Sequence, residues 1–144
     1  DLYRINISDD GEEIVFDLTD IGLFMRAEKA FKEVKSNENR ANQRIKAIDN
    51  KYVNQPMNEK LEEQRRSELV KIYGDMFAEN RRIMNDFFGN PKAMDCLFGD
   101  ANYFEMYNDL FEQLEPHFER MKLSVEGIKN RLEAKYGSTN NVIK

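Results

Sequence analysis

The chain is short of the residues that most often carry chemistry. It holds one histidine and one cysteine in 144 residues, with three prolines and seven glycines. The lone Cys96 excludes an internal disulfide and fits a reducing compartment. No apolar run approaches the roughly 20 residues that a membrane span needs, and no signal-peptide pattern is recognisable. A cytoplasm is therefore the expected location. With a single His117, carboxylate-bridged metal sites built on paired Glu-x-x-His motifs are out of reach. Glycine patterns of the Walker or dinucleotide type are missing, and "SDDGEE" lacks the spacing and length of a calcium loop. These absences predict no cofactor, no metal and no enzyme activity.

Hydrophobic residues make up 40% of the chain and charged ones 34%, a mix suited to a helix-rich protein with one core. The net charge of −5 conceals an asymmetry. Residues 1–20 carry seven acids against Arg4 alone, a balance of −6. Residues 21–60 carry nine bases against five acids, a balance of +4. This dipole suits contact between copies of the chain, acidic end to basic stretch. It does not favour nucleic acid, which wants a basic face on a basic domain. The bases of "RRSE", "ENRR" and residues 40–51 alternate with acids, and no aromatic interleaves with them as a base-stacking platform would require.

"LYRINISDDGEEIVFDLTD" alternates as a β-hairpin, with Gly11 free to take the positive φ that the loop demands. Such a ribbon is marginal in water by itself. Thr19 or Asp20 is then placed to cap a helix whose stripe is Phe24, Phe31, Val34, Ala41, Ile45, Ile48 and Tyr52. The middle of that helix, "KSNENRANQR", is polar on every face. Pro56 breaks the pattern. A second helix is expected from about Asn58 to Phe88, with a stripe of Leu61, Leu69, Ile72, Met76, Ile83 and Phe87. Gly89 suits its C-terminal turn, and Asn90 and Pro91 suit the start of a short third helix that Gly99 closes. Asp100 or Asn102 would cap a last helix running to about Tyr136. Its stripe is Phe104, Tyr107, Phe111, Leu114, Phe118, Met121, Val125, Ile128 and Leu132. Alternating threes and fours sustained this long point to extended helix-on-helix packing.

The expected fold is mainly α-helical, in the α+β class. An N-terminal β-hairpin (1–20) is followed by a long antiparallel helical hairpin (21–88), then a short connector helix and a long C-terminal amphipathic helix (89–136). These form a single domain over 1–136, with 137–144 as a flexible tail. Arm length and the long stripe together predict a homo-oligomer.

The remaining candidates for chemistry read as structural. His117 follows Pro116 between Glu115 and Glu119, with no nucleophile apparent beside it, and suits a surface or boundary position. Cys96 lies among apolar neighbours but next to Asp95 and near Asp100, the wrong setting for a reactive thiol. Glu105, Asp109, Glu112 and Glu119 share one face of the last helix and read as a solvated acidic surface.

One stretch stands out. "DFFGNPKAMDCLFGDANYFEMYNDLFEQL" (86–114) packs seven Phe or Tyr residues around two glycine breaks. Most of these fall on helical stripes, while Phe88 and Tyr103 do not. Two segments together, the hairpin ending "EEIVFDLTD" and "IMNDFFGNPKAMDCLFGDANYFEMYNDLFEQLEPHF", resemble a family of small proteins from the structural-gene modules of tailed phages and prophages of Gram-positive bacteria. That family is related to the tail assembly chaperones of siphophages. The resemblance rests on residues 16–20, Phe87-Phe88-Gly89, Leu97-Phe98-Gly99 and the helix after Asn102, and covers about half the chain. It implies a non-catalytic chaperone in the host bacterial cytoplasm that binds the tape-measure or tail-tube protein during virion morphogenesis and tends to oligomerise. The seven methionines suit a surface that adapts to varied helices. Two other readings share these features: a phage-encoded inhibitor that binds a host defence protein, and a minor structural virion protein. Phe88, Phe98, Tyr103 and Tyr107 are the candidate partner contacts.

Overall fold

A computed structural model describes the chain except residues 1, 7–9, 12, 18–19, 104 and 144; it also leaves out the side chains of residues 3, 5, 16, 108, 114, 118, 121, 124–125 and 137–143. Two strands and four helices follow in order: β1 (Leu2–Asn6), β2 (Glu13–Asp17), α1 (Ile21–Tyr52), α2 (Glu59–Phe88), α3 (Ala93–Phe98) and α4 (Met106–Ile143). The expected mainly helical fold, with its ribbon and its hairpin of two long helices, is what the chain adopts. The residues group into two compact units, one of Asp1–Ala27 with Ala101–Lys144 and one of Glu28–Asp100.

In the first unit β1 and β2 pair antiparallel, with Arg4 opposite Val15 and Ile5 opposite Ile14. Gly11 has φ +82, as its place in the loop requires. Ile14 is buried while Val15, on the other face, is exposed, which is the period-two split that the sequence shows. Arg4 reaches across to Glu13 at 2.9 Å. The backbone N–H of Gly22 donates to Asp20 Oδ1 at 2.8 Å, so Asp20 caps α1; Thr19, the other candidate, lies outside the described residues. Among the described residues, Leu23, Ala27, Met106, Tyr107 and Leu110 complete the buried apolar set of this unit.

α4 departs from expectation at its C-terminal end. Before it, residues 101–103 have no regular structure, and the N–H of Met106 bonds to the carbonyl of Tyr103 at 3.1 Å. Phe104, the first position of the predicted stripe, lies outside the described residues. The helix runs through Pro116 and past Tyr136 to Ile143, seven residues beyond its predicted end.

In the second unit the rest of α1 and α2 form the antiparallel hairpin. At 32 and 30 residues each helix is about 45 Å long. Gln55 Nε2 donates to the Lys51 carbonyl at 2.8 Å where α1 ends, and Asn58 Oδ1 accepts the N–H of Leu61 at 2.9 Å where α2 begins. Gly89 closes α2 in the left-handed region, at φ 70 and ψ 23.

The buried side of α1 is Leu23, Ala27, Ala30, Val34, Asn37, Ala41 and Tyr52. Predicted stripe members Phe24, Ile45 and Ile48 are half-buried, and Phe31 is exposed. The buried side of α1 is shifted by about one residue at its N-terminal end, onto smaller residues that the bulkier aromatics overshadow. It continues through the polar middle by way of Asn37. On α2 the seam includes Ile72, Phe77, Asn80, Ile83, Met84, Phe87 and Phe88.

The seam carries one buried polar contact. Asn37 Nδ2 donates to Asn80 Oδ1 at 2.8 Å and to the Met76 carbonyl at 2.9 Å. Asn80 is wholly buried, and its own Nδ2 makes no hydrogen bond. Both amides lie at seam positions, Asn37 three residues after Val34 and four before Ala41.

Asn37→Ala should destabilise the protein by about 2 kcal/mol in urea unfolding, because it leaves both polar ends of Asn80 buried without partners. The double change Asn37→Leu with Asn80→Leu should be neutral or stabilising, since it removes the buried polar groups together.

α3 is held by its predecessor. Asn85 of α2 accepts the N–H of Met94 at 2.9 Å through Oδ1 and donates to the Pro91 carbonyl at 3.0 Å through Nδ2. The predicted cap Asn90 instead closes a turn, accepting the N–H of Lys92 at 2.8 Å, and Pro91 stands before the helix rather than in it. Arg81 adds an ion pair to Asp95 at 3.0 Å. Asn85→Ala, which removes both amide bonds, should cost about 1–2 kcal/mol by the same unfolding assay.

Candidate interaction surfaces

Three surfaces follow from this framework. The first is the tip of the helical hairpin. The turn between α1 and α2 leaves Val53 70% and Met57 43% exposed. Below them a cleft of about 470 Å³ is lined by Asp49, Tyr52, Val53, Met57, Arg65 and Arg66, among others. Arg65 reaches Asp49 at 3.3 Å across the two helices. Beside this pair, Lys51 Nζ donates to Glu68 Oε1 at 2.8 Å and lies 5.2 Å from the centre of the Tyr52 ring. The Lys51 ammonium, helped by the nearby Tyr52 hydroxyl, holds the Glu68 carboxyl below the usual carboxylate range. The same hydrogen bond raises Lys51. Arg44 and Asp75, 3.3 Å apart, make the third cross-hairpin pair.

The second surface is a groove along the hairpin, where Lys32, Glu33, Ser36 and Arg40 of α1 face Glu79, Arg82 and Ile83 of α2. Arg82 grips Glu79 through both its Nε and Nη2 atoms, at 3.1 and 2.6 Å, and Asp86 at 2.8 Å. Arg82 is raised and Glu79 lowered, each chiefly by their mutual hydrogen bond.

The third surface belongs to α4. Tyr107 and Leu110 are buried at its start and Phe111 is half-buried. From residue 119 to residue 136, every described side chain is exposed except Gly127 and Ile128, which are half-buried. Leu132, on the predicted stripe, is 52% exposed, and Tyr136 beyond it is also exposed. Leu123 is exposed off the stripe. Leu114, Phe118, Met121 and Val125 have side chains outside the described set.

The four candidate partner contacts separate on burial. Tyr103 is 43% exposed and Phe98 half-buried. Phe88, expected off the stripe, is buried instead, with its ring tilted at 51° and 5.2 Å from that of Phe87. Tyr107 is buried as well. At the end of α2 two adjacent helical rows are covered rather than one, which a single stripe does not anticipate.

His117 and Cys96 are half-buried. Glu105, Asp109, Glu112 and Glu119 are exposed, and no group of three or more metal-ligating side chains occurs among the described residues. Nor is any helix among those residues long and apolar enough to cross a membrane. The two features that sequence patterning misses are the Asn37–Asn80 pair and the Asn85 cap. Heptad spacing from Val34 would have found Asn37; nothing local marks Asn85.

In comparison with known proteins, no family model matches this chain, and no curated protein or solved structure matches it.

Replacing Glu68 by Gln should lower the melting temperature at pH 7. Because the folded carboxyl lies below its ordinary value, the contribution is present above that value and disappears as pH falls through the folded one. Melting curves of the two proteins should therefore converge as the pH falls below the ordinary carboxylate range.

Proposed function

We propose that this chain is a non-catalytic, chaperone-like protein of phage tail assembly. It acts in the host cytoplasm by binding apolar helical segments of a tape-measure or tail-tube protein. The reading joins the resemblance of residues 16–20 and 83–118 to one physical observation: the exposed C-terminal half of α4. There Leu132, on the stripe read from the sequence, and Tyr136 beyond it are in contact with solvent. Large apolar side chains exposed on a long helix suit the approach of another helix. Four acids in the first half of α4 and five bases in the second give the flanks polar character that keeps such a helix soluble until it is covered.

Binding of a tape-measure fragment should drop at least tenfold on Leu132→Asp with Tyr136→Asp, with helicity and melting temperature unchanged, because both residues are exposed. Deleting the gene should abolish tails. Normal tails in the deletion strain, together with altered infection of hosts that carry defence systems, would replace this reading by that of an inhibitor of a host defence protein. Recovery of the polypeptide from purified particles would favour a minor virion protein.

A further inference from the structure

Two clefts of the helical hairpin belong to one groove. The first, of about 360 Å³, is lined by Lys32, Ser36, Arg40, Glu79 and Ile83 among others. The second, of about 370 Å³, is lined by Arg44, Ile48, Lys51, Glu68, Lys71 and Ile72 among others. On α1 the lining positions 36, 40, 44, 48 and 51 follow at threes and fours, so they run along one side of the helix. On α2 the positions 68, 72, 79 and 83 do the same, with Asp75 between them. The ion pair of Arg44 with Asp75 stands between the two clefts.

The groove holds more cations than it pairs. Its clefts are lined by six bases and three acids, to which Asp75 adds a fourth, in a protein whose net charge is −5. Each of these acids already has a cation: Glu33 has Lys29, Glu68 has Lys51, Asp75 has Arg44 and Glu79 has Arg82. Lys32 and Lys71 make no ion pair among the described residues. Arg40 donates to the neutral Ser36 hydroxyl at 3.0 Å, and its charge reaches the Glu79 carboxylate without a hydrogen bond. All three side chains are exposed. Because Arg44 faces Asp75 and Lys51 faces Glu68, Lys71 stands level with Ile48 of α1. The extra cations therefore sit at the levels of residues 32, 40 and 48, about 12 Å apart at 1.5 Å per residue. That interval is about two turns of another helix.

We propose that this groove receives an acidic amphipathic helix of a partner protein. Its carboxylates, about two turns apart, meet Lys32, Arg40 and Lys71, and its apolar edge lies toward Ile48 and the floor formed by Ile72 and Ile83. The α2 rim opposes a continuous polyanion, since a phosphodiester strand in the groove would run against Glu68, Asp75 and Glu79. A helix has edges of different character, so it can turn carboxylates to the cations and keep them from those acids. The groove is built from α1 and α2 alone and holds whether or not α4 meets a tail client.

The probe is a synthetic helical peptide of about 20 residues with leucines at three-four spacing and three glutamates about eight residues apart. Its binding to the whole protein is followed by fluorescence anisotropy at low salt, beside companion peptides with Gln or Lys in place of Glu. The Glu peptide should bind, the Gln peptide about tenfold more weakly, and the Lys peptide not at all. The triple variant Lys32→Glu, Arg40→Glu, Lys71→Glu should lose the Glu peptide and gain the Lys peptide, which a loss of folding could not produce. Arg66→Glu, at an exposed position outside the groove, should change neither. Four results would each overturn the proposal: no saturable binding of the Glu peptide, equal binding of the Gln peptide, undiminished binding by the triple variant, or tighter binding of a single-stranded oligonucleotide.

Discussion

The hydrogen bond from Asn37 to Asn80 sets the register on which the helical hairpin depends. Two long helices that meet along alanines and aliphatic residues can slide by a turn or a heptad with little loss of apolar burial. A pair of buried amides removes that freedom, because each finds its partner in one alignment only. A slip would leave both amides against hydrocarbon without a bond, at several kcal/mol. In the alignment observed, Asn37 also reaches the Met76 carbonyl, so the contact ties side chain to backbone as well as side chain to side chain. The cost is visible in the same place, since Asn80 keeps a buried N–H₂ without a partner. Stability is given up for a defined geometry, as at polar positions in coiled coils.

Once that register holds, the charges across the hairpin fall opposite one another. Arg44 meets Asp75, Lys51 meets Glu68 and Arg65 meets Asp49. Each pair is exposed and contributes modestly. Their value lies in agreement: all three report the alignment that the amide pair selects, so no local preference opposes the global one. The same alignment brings Tyr52 to the end of the seam and leaves Val53 and Met57 outside it at the tip.

Local chemistry made much of this architecture legible. Asp20, Asn58, Gly89 and Gly99 act at helix ends because their side chains or backbone freedom suit those places, and the ribbon follows from simple alternation. What escaped was of two kinds. Phe24 and Phe31 dominate the apolar content of early α1 and pull a pattern reading toward themselves, while the buried side of the helix in fact follows Leu23, Ala27 and Ala30. Asn37 was hidden for the opposite reason, as a polar residue at an apolar position whose partner is 43 residues away. In the aromatic segment, spacing separated Tyr103, which is exposed, from the stripe residues, but it misplaced Phe88, which a second covered row of α2 buries. Burial by distant elements is not encoded in a residue's own neighbourhood.

The grip of Asn85 on the next helix has a consequence for the order of events along the chain. A helix of six residues cannot nucleate by itself in water, since fixing its first turn costs more than its few bonds return. α3 begins where a side chain of α2 receives its N–H and holds the preceding carbonyl. The last turn of α2 therefore serves as a template, and α3 exists only while that turn is wound. Fraying α2 by a single turn at its C-terminus would erase two elements together, which makes residues 85–99 one cooperative unit rather than a helix end, a turn and a helix.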